Sequence, residues 1–356
     1  ISFPFKVLIA DGGKDHNVEN KLSNYKNFPN VDYEYIRYPY DQTYKEYYSK
    51  LDSLVSKVKT PYLVLGDDDD FFLLEGLRSC VNFLDNNPDY ISCGGRWSTF
   101  LLHPDSDKAY GDEIEFILHP PANSMDSNTA VERVEKHFRS YQVTWYDVHR
   151  TDILRKIYNS LLVFNPRDLL LAEAFATHHT VACGKVKKLP NLMLLRQLNI
   201  LNSSCTFENK MKGDYFDRML LETWSRDFNS FIDAITNVVV KEDGISFENI
   251  RPKIVKGYRY FIAPILIRGF TKDSLSRSLV MLGINTRKSF FSKVEQVVYD
   301  LNYRNPFRKI LRKLYHKFQD IFDKDLPRPR PIEKSSPFYG EVRPISDFLT
   351  SEDKNL

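Results

Sequence analysis

The sequence predicts an α/β protein: a mostly parallel sheet flanked by helices, followed by a helical accessory region. Three observations predict it. Short apolar runs at Phe5–Ala10 and Tyr62–Gly66 suit strands buried on both faces. Between and after them come apolar stripes of 3.6-residue period, over Tyr44–Val58 and Leu74–Leu84. Past about Ser203 the strand-like runs stop and the pattern turns helical. Strands alternating with helices at this interval imply parallel crossovers.

The elements follow in order. Phe5–Ala10 ends sharply at Asp11-Gly12-Gly13-Lys14-Asp15, where two glycines permit a tight turn close to a ligand. Tyr33–Arg37 alternates enough for another strand. The next helix carries Tyr44, Tyr47, Tyr48, Leu51, Leu54, Val55 and Val58 on one stripe, which reads as a core face, and its exit at Thr60-Pro61 leads into the Tyr62 strand. Leu74, Leu77, Val81 and Leu84 mark a helix stopped by Asn86-Asn87-Pro88; Tyr90–Cys93 is a strand ending in Gly94-Gly95. From Arg96 to Tyr141 the periodicity fades into long loops around a short helix near Ala130–Arg139, and His103, His119 and His137 read as solvated there. Val143–Val148 is expected as a strand, with a helix beginning at His149-Arg150-Thr151-Asp152. Asn165-Pro166-Arg167-Asp168 reads as a helix start, Asn at the cap and Pro at the first position, and that helix runs to Gly184. Its adjacent His178 and His179 point about 100° apart, too far to share one ion easily, and read as packing and surface. Lys185–Lys188 and Leu192–Leu195 form a last strand before Arg196. Helices are then expected over 215–235, 250–267, 272–282, 289–301 and 306–322.

At 356 residues the chain fits one domain of roughly 200 to 250 residues plus an accessory part. The expected partition is 1–202 for the sheet domain, 203–325 for the helical region and 326–356 for an extended or disordered tail, which opens with Pro-Arg-Pro-Arg-Pro. Basic and acidic residues number 50 and 47, a net charge of +3, so no global basic field argues for nucleic acid. Cys80, Cys93, Cys183 and Cys205 are far apart and lack Cys-x-x-Cys spacing, which reads as reduced core cysteines rather than disulfides or a zinc site. The best apolar run, Phe261 to Ile267, contains Pro264 and falls short of the roughly 18 residues of a membrane span. No signal-peptide pattern is visible, and a cytoplasmic location is expected.

The chemistry concentrates where the Tyr62–Gly66 strand runs into Asp67-Asp68-Asp69-Asp70 and then Phe71. In open α/β sheets the carboxyl ends of strands face the ligand crevice. Crowded carboxylates repel unless a cation offsets them. Mg2+ and Mn2+ accept such hard oxygen ligands, with phosphates and waters completing the shell. The run resembles the Asp-x-Asp signature of GT-A glycosyltransferases, in particular those of glycosyltransferase family 2, where an apolar strand ends in Asp-x-Asp-Asp and an aromatic. Taking Phe71 as that aromatic makes Asp67 and Asp69 the matched pair for Mn2+ or Mg2+; a shift by one selects Asp68 and Asp70 instead. A solvated acidic loop or a helix start would use the same letters.

The resemblance implies further roles. Asp11-Gly12-Gly13-Lys14-Asp15 is similar to the family's Asp-Asp-Gly-Ser-x-Asp, whose acid contacts the nucleotide, but Ala10 stands for the first Asp and Gly13 for Ser. Asp11, Asp67, Asp68 and Arg196 are therefore the expected nucleotide-sugar contacts. On this alignment the family's first strand and helix are missing from the chain. Inverting transfer needs a carboxylate to take the acceptor's proton, and in the family an acid opening a helix after the acceptor loops supplies it. Asp168 occupies a similar place, although Arg167 stands where another acid is usual; Glu173 and Asp147 are the fallbacks, and an acid that only stabilises a first helical turn is the competing account. Arg196 at a strand end suits a diphosphate oxygen, and a surface ion pair explains it equally.

The expected function is metal-dependent transfer of a sugar from a nucleotide-diphosphate donor to a glycan or lipid-linked hydroxyl acceptor, in surface polysaccharide or glycoconjugate synthesis. A helix over 304–322 with apolar residues on one side and Arg304, Arg308, Lys309, Arg312, Lys313 and Lys317 near the other fits an anionic membrane surface, or simply packs on the domain. A nucleotidyltransferase also uses metal-held carboxylates on a parallel sheet, but the Gly-rich basic loop for its triphosphate is not visible. A non-catalytic metal- or ligand-binding module is the third class; the Gly and Glu spacing of an EF-hand after Asp67 is absent.

Overall fold

The computed structural model describes residues 3–101, 114–198, 211–281 and 329–350. The chain divides into two compact units, 1–261 with 330–356, and 262–329. The boundary expected near 203 does not fall between them: the helices from Tyr215 to Phe261 belong to the same unit as the sheet. In the second unit the described residues are helical to Met281. The basic stretch 304–322, with His103 and Cys205, lies outside the described residues.

The architecture is mixed α/β. Strands β1 (Val7–Asp11) and β2 (Tyr33–Arg37) pair in parallel, with helix α1 (His16–Leu22) between them in sequence. Helix α2 (Tyr44–Lys57) starts on a reciprocal cap between Thr43 and Glu46 and buries Tyr48, Leu51, Leu54 and Val55. Then come β3 (Tyr62–Leu63), β4 (Phe71–Phe72), α3 (Leu74–Asn86) and the long β5 (Tyr90–Leu101). Short β6 (Phe116–Leu118), α4 (Ala130–Arg139) and β7 (Val148–Arg150) lead to α5 (Thr151–Phe164), α6 (Leu169–Cys183) and the long β8 (Lys185–Leu198). Helices α7 (Tyr215–Met219), α8 (Glu222–Asp243) and α9 (Phe247–Met281), strand β9 (Arg330–Pro331) and helix α10 (Tyr339–Thr350) complete it.

The centre of the larger sheet is β5. Strand β8 runs parallel along one edge of it; β7 covers the start of the other edge at Ser92–Cys93 and β6 the end at Ser98–Phe100, both antiparallel. The remaining pairs, β3 with β7, β4 with β8 and β6 with β9, are antiparallel too. The larger sheet is therefore mixed and not mostly parallel: crossover helices space the long strands, but the two- and three-residue strands between them fold back locally. Pro190 and Asn191 loop out of register between the pairs Gly94/Lys188 and Arg96/Leu192, because proline cannot donate to the ladder. Gly95 accommodates this bulge, since a Cβ there would press on the Asn191 carbonyl oxygen at 2.6 Å.

Several local expectations shift. Residues 143–147 form no strand; Asp147 N–H bonds Thr144 O in a turn, and pairing begins at Val148. Asn165 does not cap α6. It ends α5 in the left-handed region at φ 44°, a conformation asparagine tolerates, and Asp168 caps α6 instead. His178 and His179 are both buried and so is His137, which bonds Gln142 O at 2.9 Å. The tail is not extended throughout: Phe338, Val342, Ile345 and Leu349 pack on Phe100, Phe116 and Leu192, which is what orders α10 despite Pro344.

Candidate active site

Register places the acidic run. Phe71 pairs with Leu195, so the residue before it, Asp70, lies beside the residue after Leu195, Arg196. Asp67 to Asp70 form the turn joining β3 to β4, closed by Asp70 N–H on Asp67 O. Carboxylate oxygens of Asp67, Asp69 and Asp70 come within 4.8 Å of one another. Asp68, expected among the sugar contacts, is exposed and outside that group. Asp70, set aside for the alternative register, is the deepest of the four, its side chain 1% exposed; Oδ2 faces Arg196 Nε at 3.3 Å and Oδ1 accepts the Gln197 N–H at 3.1 Å. Burial pushes its carboxyl up to about 6, against the pull of Arg196. Asp69 is also raised, by burial first and then by the charges of Asp67 and Asp68. Spacing and charge thus fit one hard divalent cation, whose binding would relieve both strains.

Arg196 joins the cluster to its surroundings. Its guanidinium reaches towards Asp67 at 3.9 Å and lies over the Tyr146 ring at 4.4 Å, while the Tyr146 hydroxyl donates to Asp67. Tyr47 on α2 is half-buried, its hydroxyl raised by burial and then by Asp67 and Asp41. Asp41 pairs with Lys50 and its backbone N–H bonds Gly12 O at 3.3 Å. Tyr47 therefore feels both the acidic turn and the loop that follows Asp11. Asp11 itself is committed to structure: its side chain accepts from Tyr35, Arg37 and Gly13 N–H at 2.5, 2.5 and 2.7 Å.

The two carboxylates of α6 differ. Asp168 is buried; one oxygen accepts the Leu170 N–H at 2.9 Å and the other meets Arg218 at 2.7 Å and Lys212 at 3.6 Å. Glu173 lies on a helix whose residues from Leu171 to Ala182 are otherwise all buried, and it alone keeps partial exposure there. It accepts a hydrogen bond from Tyr141 at 3.2 Å. Burial raises its carboxyl, with Tyr141 and Arg196 pulling down and Asp67 pushing up. Asp147, the other fallback, is sealed in an ion pair with Lys188, at 2.7 and 2.8 Å.

No protein-family model matches the chain, and no curated protein sequence matches it. Among solved structures it is similar to the crystal structure of S. aureus TarS 1-349, at 11% identity and TM-score 0.37, covering 74% of this chain and 84% of that one. The same TarS segment in complex with UDP is similar at 13% identity, with equal coverage and TM-score. At this distance the likeness is no guide to activity.

Sequence reasoning missed Tyr146 and Tyr141, which lie in loops without periodicity, and the cations Lys212 and Arg218, whose partner is some 45 to 50 residues away. The one available signal was the aromatic run Trp145-Tyr146 directly before the acid Asp147. Among the described residues no helix is long and apolar enough to cross a membrane.

Proposed function

We propose that this chain is a metal-dependent glycosyltransferase that moves a sugar from a nucleotide-diphosphate donor to a hydroxyl acceptor. The observation that carries the reading is the Asp67, Asp69 and Asp70 cluster with Arg196 at its edge: clustered anions ready for a cation, next to one fixed cation suited to a phosphate oxygen. A Mn2+ or Mg2+ ion held by Asp67 and Asp69, with Asp70 behind them, would neutralise a leaving diphosphate. Arg196 would bind the same diphosphate and Tyr146 orients Asp67; Asp68 and Asp11 are assigned to the nucleotide sugar from the sequence resemblance alone. The acceptor's proton goes to a carboxylate of α6, Asp168 or Glu173. Glycan or lipid-linked acceptors, polysaccharide assembly and attachment of 304–322 to the cytoplasmic face of a membrane follow from the resemblance and from charge pattern alone.

The test is a thermal-shift and calorimetric titration of UDP and nucleotide sugars with and without Mn2+, followed by product analysis. Stabilisation that needs both nucleotide and metal, with release of nucleoside diphosphate from a sugar donor, supports the reading. Release of pyrophosphate from a triphosphate would instead identify a nucleotidyltransferase, and no nucleotide binding with Mn2+ would leave a non-catalytic module.

A further inference from the structure

Resting on the transferase reading, we infer that Glu173 is the carboxylate that takes the acceptor's proton, held in place by Tyr141, and that Asp168 is a structural anchor of helix α6. The two acids stand on one helix, so their difference lies in what surrounds them. Both Asp168 oxygens are engaged, one by the helix's own Leu170 N–H and the other by Arg218 and Lys212. A base needs a lone pair free to meet a hydroxyl, and Asp168 would have to break its cap and a buried ion pair to offer one. Arg218 is itself fully buried and further tied to Gly213 O at 3.1 Å, so this anchor is not a surface contact that exchanges easily.

Glu173 has the opposite setting. Helix α6 is apolar on nearly every side, and a charged residue persists in such a helix only where it opens to solvent or to a ligand. The hydroxyl of half-buried Tyr141 donates to Oε1, so that among the described residues Oε2 is left for a substrate. The ring of half-buried Tyr215 lies 6.2 Å from that of Phe261, which in turn meets Tyr141 at 4.6 Å in a tilted contact. Glu173 thus stands, through Tyr141, at the edge of an aromatic cluster formed by Tyr141, Phe261 and Tyr215. The charges of Asp67 and Arg196 both act on the ionisation of Glu173, one raising and the other lowering it. Partial burial makes it a better proton acceptor than a solvated carboxylate.

In the step so assigned, the acceptor oxygen forms its bond to the anomeric carbon as the bond from that carbon to the diphosphate oxygen breaks. The bonding pair leaves on the diphosphate, and the acceptor's proton passes to Glu173 Oε2. The single displacement inverts the anomeric centre.

The experiment assays nucleoside diphosphate release from UDP-glucose, UDP-galactose, UDP-N-acetylglucosamine and GDP-mannose with Mn2+, for wild type, Glu173→Gln, Glu173→Asp, Asp168→Asn and, with and without azide, Glu173→Ala, with calorimetry of UDP plus Mn2+ and melting curves on each. Glu173→Gln is expected to lower kcat by about a hundredfold or more while UDP affinity and Tm stay near wild type. Glu173→Asp is expected to retain part of the rate, and Glu173→Ala to be partly rescued by azide, which attacks without needing a base. Asp168→Asn is expected to lower Tm with a much smaller loss of kcat. Glu173→Gln turning over at the wild-type rate, or Asp168→Asn losing a hundredfold while still melting like wild type, would overturn the assignment. Wild type that neither binds UDP with Mn2+ nor releases a diphosphate would instead remove the transferase reading beneath it.

Discussion

Two acidic regions of this molecule sit within one sheet and are treated in opposite ways. Asp147 is matched one for one with Lys188, both side chains nearly sealed at 5% and 6% exposure. At the turn from Asp67 to Asp70, Arg196 is the one cation among the described residues that pairs with the acids, meeting Asp67 and Asp70, and at least two of the four are pushed towards the protonated form by burial and by their neighbours. The first arrangement is complete within the chain. Among the described residues the second keeps a charge deficit that a bound cation would fill. A carboxylate is informative about function when its compensation is missing, not when it is buried.

The comparison can be broken first at the matched pair. Lys188→Met leaves the Asp147 carboxylate buried without its partner and is expected to cost about 3 to 5 kcal/mol of stability, read by denaturant melts, without a specific loss of metal affinity. Gly94→Ala reaches the same pair from the backbone, because its Cβ would collide with the Asp147 carboxylate; a loss of about 1 to 3 kcal/mol is expected, and wild-type stability would mean that the pair moves freely. Asp69→Asn reverses the pattern: Tm without metal is expected to stay level or rise as like charge is removed, while the Mn2+-dependent gain in Tm disappears. A fall in Tm without metal would make Asp69 a structural acid after all.

The smallest expected effect concerns Asp11. Burial alone would raise its carboxyl, but the Tyr35 hydroxyl, the Gly13 N–H and Arg37 more than offset it, so it titrates below its ordinary value of 3.8. A carboxylate depressed on folding contributes stability that is present above its unfolded pKa and lost as pH falls through the folded one. Asp11→Asn should therefore narrow its stability gap to wild type as pH is lowered from about 5 towards 2. A gap independent of pH would assign the effect to shape rather than charge.

Much of the site was legible because its signals are local. The apolar lead into Asp67, the period of α2 and the arginine at the end of β8 each lie within one short window. What stayed hidden depends on partners far along the chain. Tyr146 meets Asp67 across 79 residues, and the lack of free oxygens on Asp168 becomes visible only once Arg218 folds back on it. Asn165 and Asp168 are both good caps, and local chemistry does not say which one ends a helix and which one starts the next. The strand expected over Lys185–Lys188 and Leu192–Leu195 runs on to Leu198, and Pro190 sits in a bulge within it. The mixed sheet escaped because two-residue strands leave no periodicity to read.

The pairing of β6 with β9 joins Ile117 to Pro331 and Leu118 to Arg330, more than two hundred positions apart. During synthesis the rim of the sheet, and the side of the Phe100 and Phe116 cluster that α10 covers, stay open until the segment from Arg330 to Thr350 has left the ribosome. Closing so long a loop is slow and entropically costly. The nascent protein therefore passes through a long interval with an open, sticky flank, when a chaperone has the most to contribute.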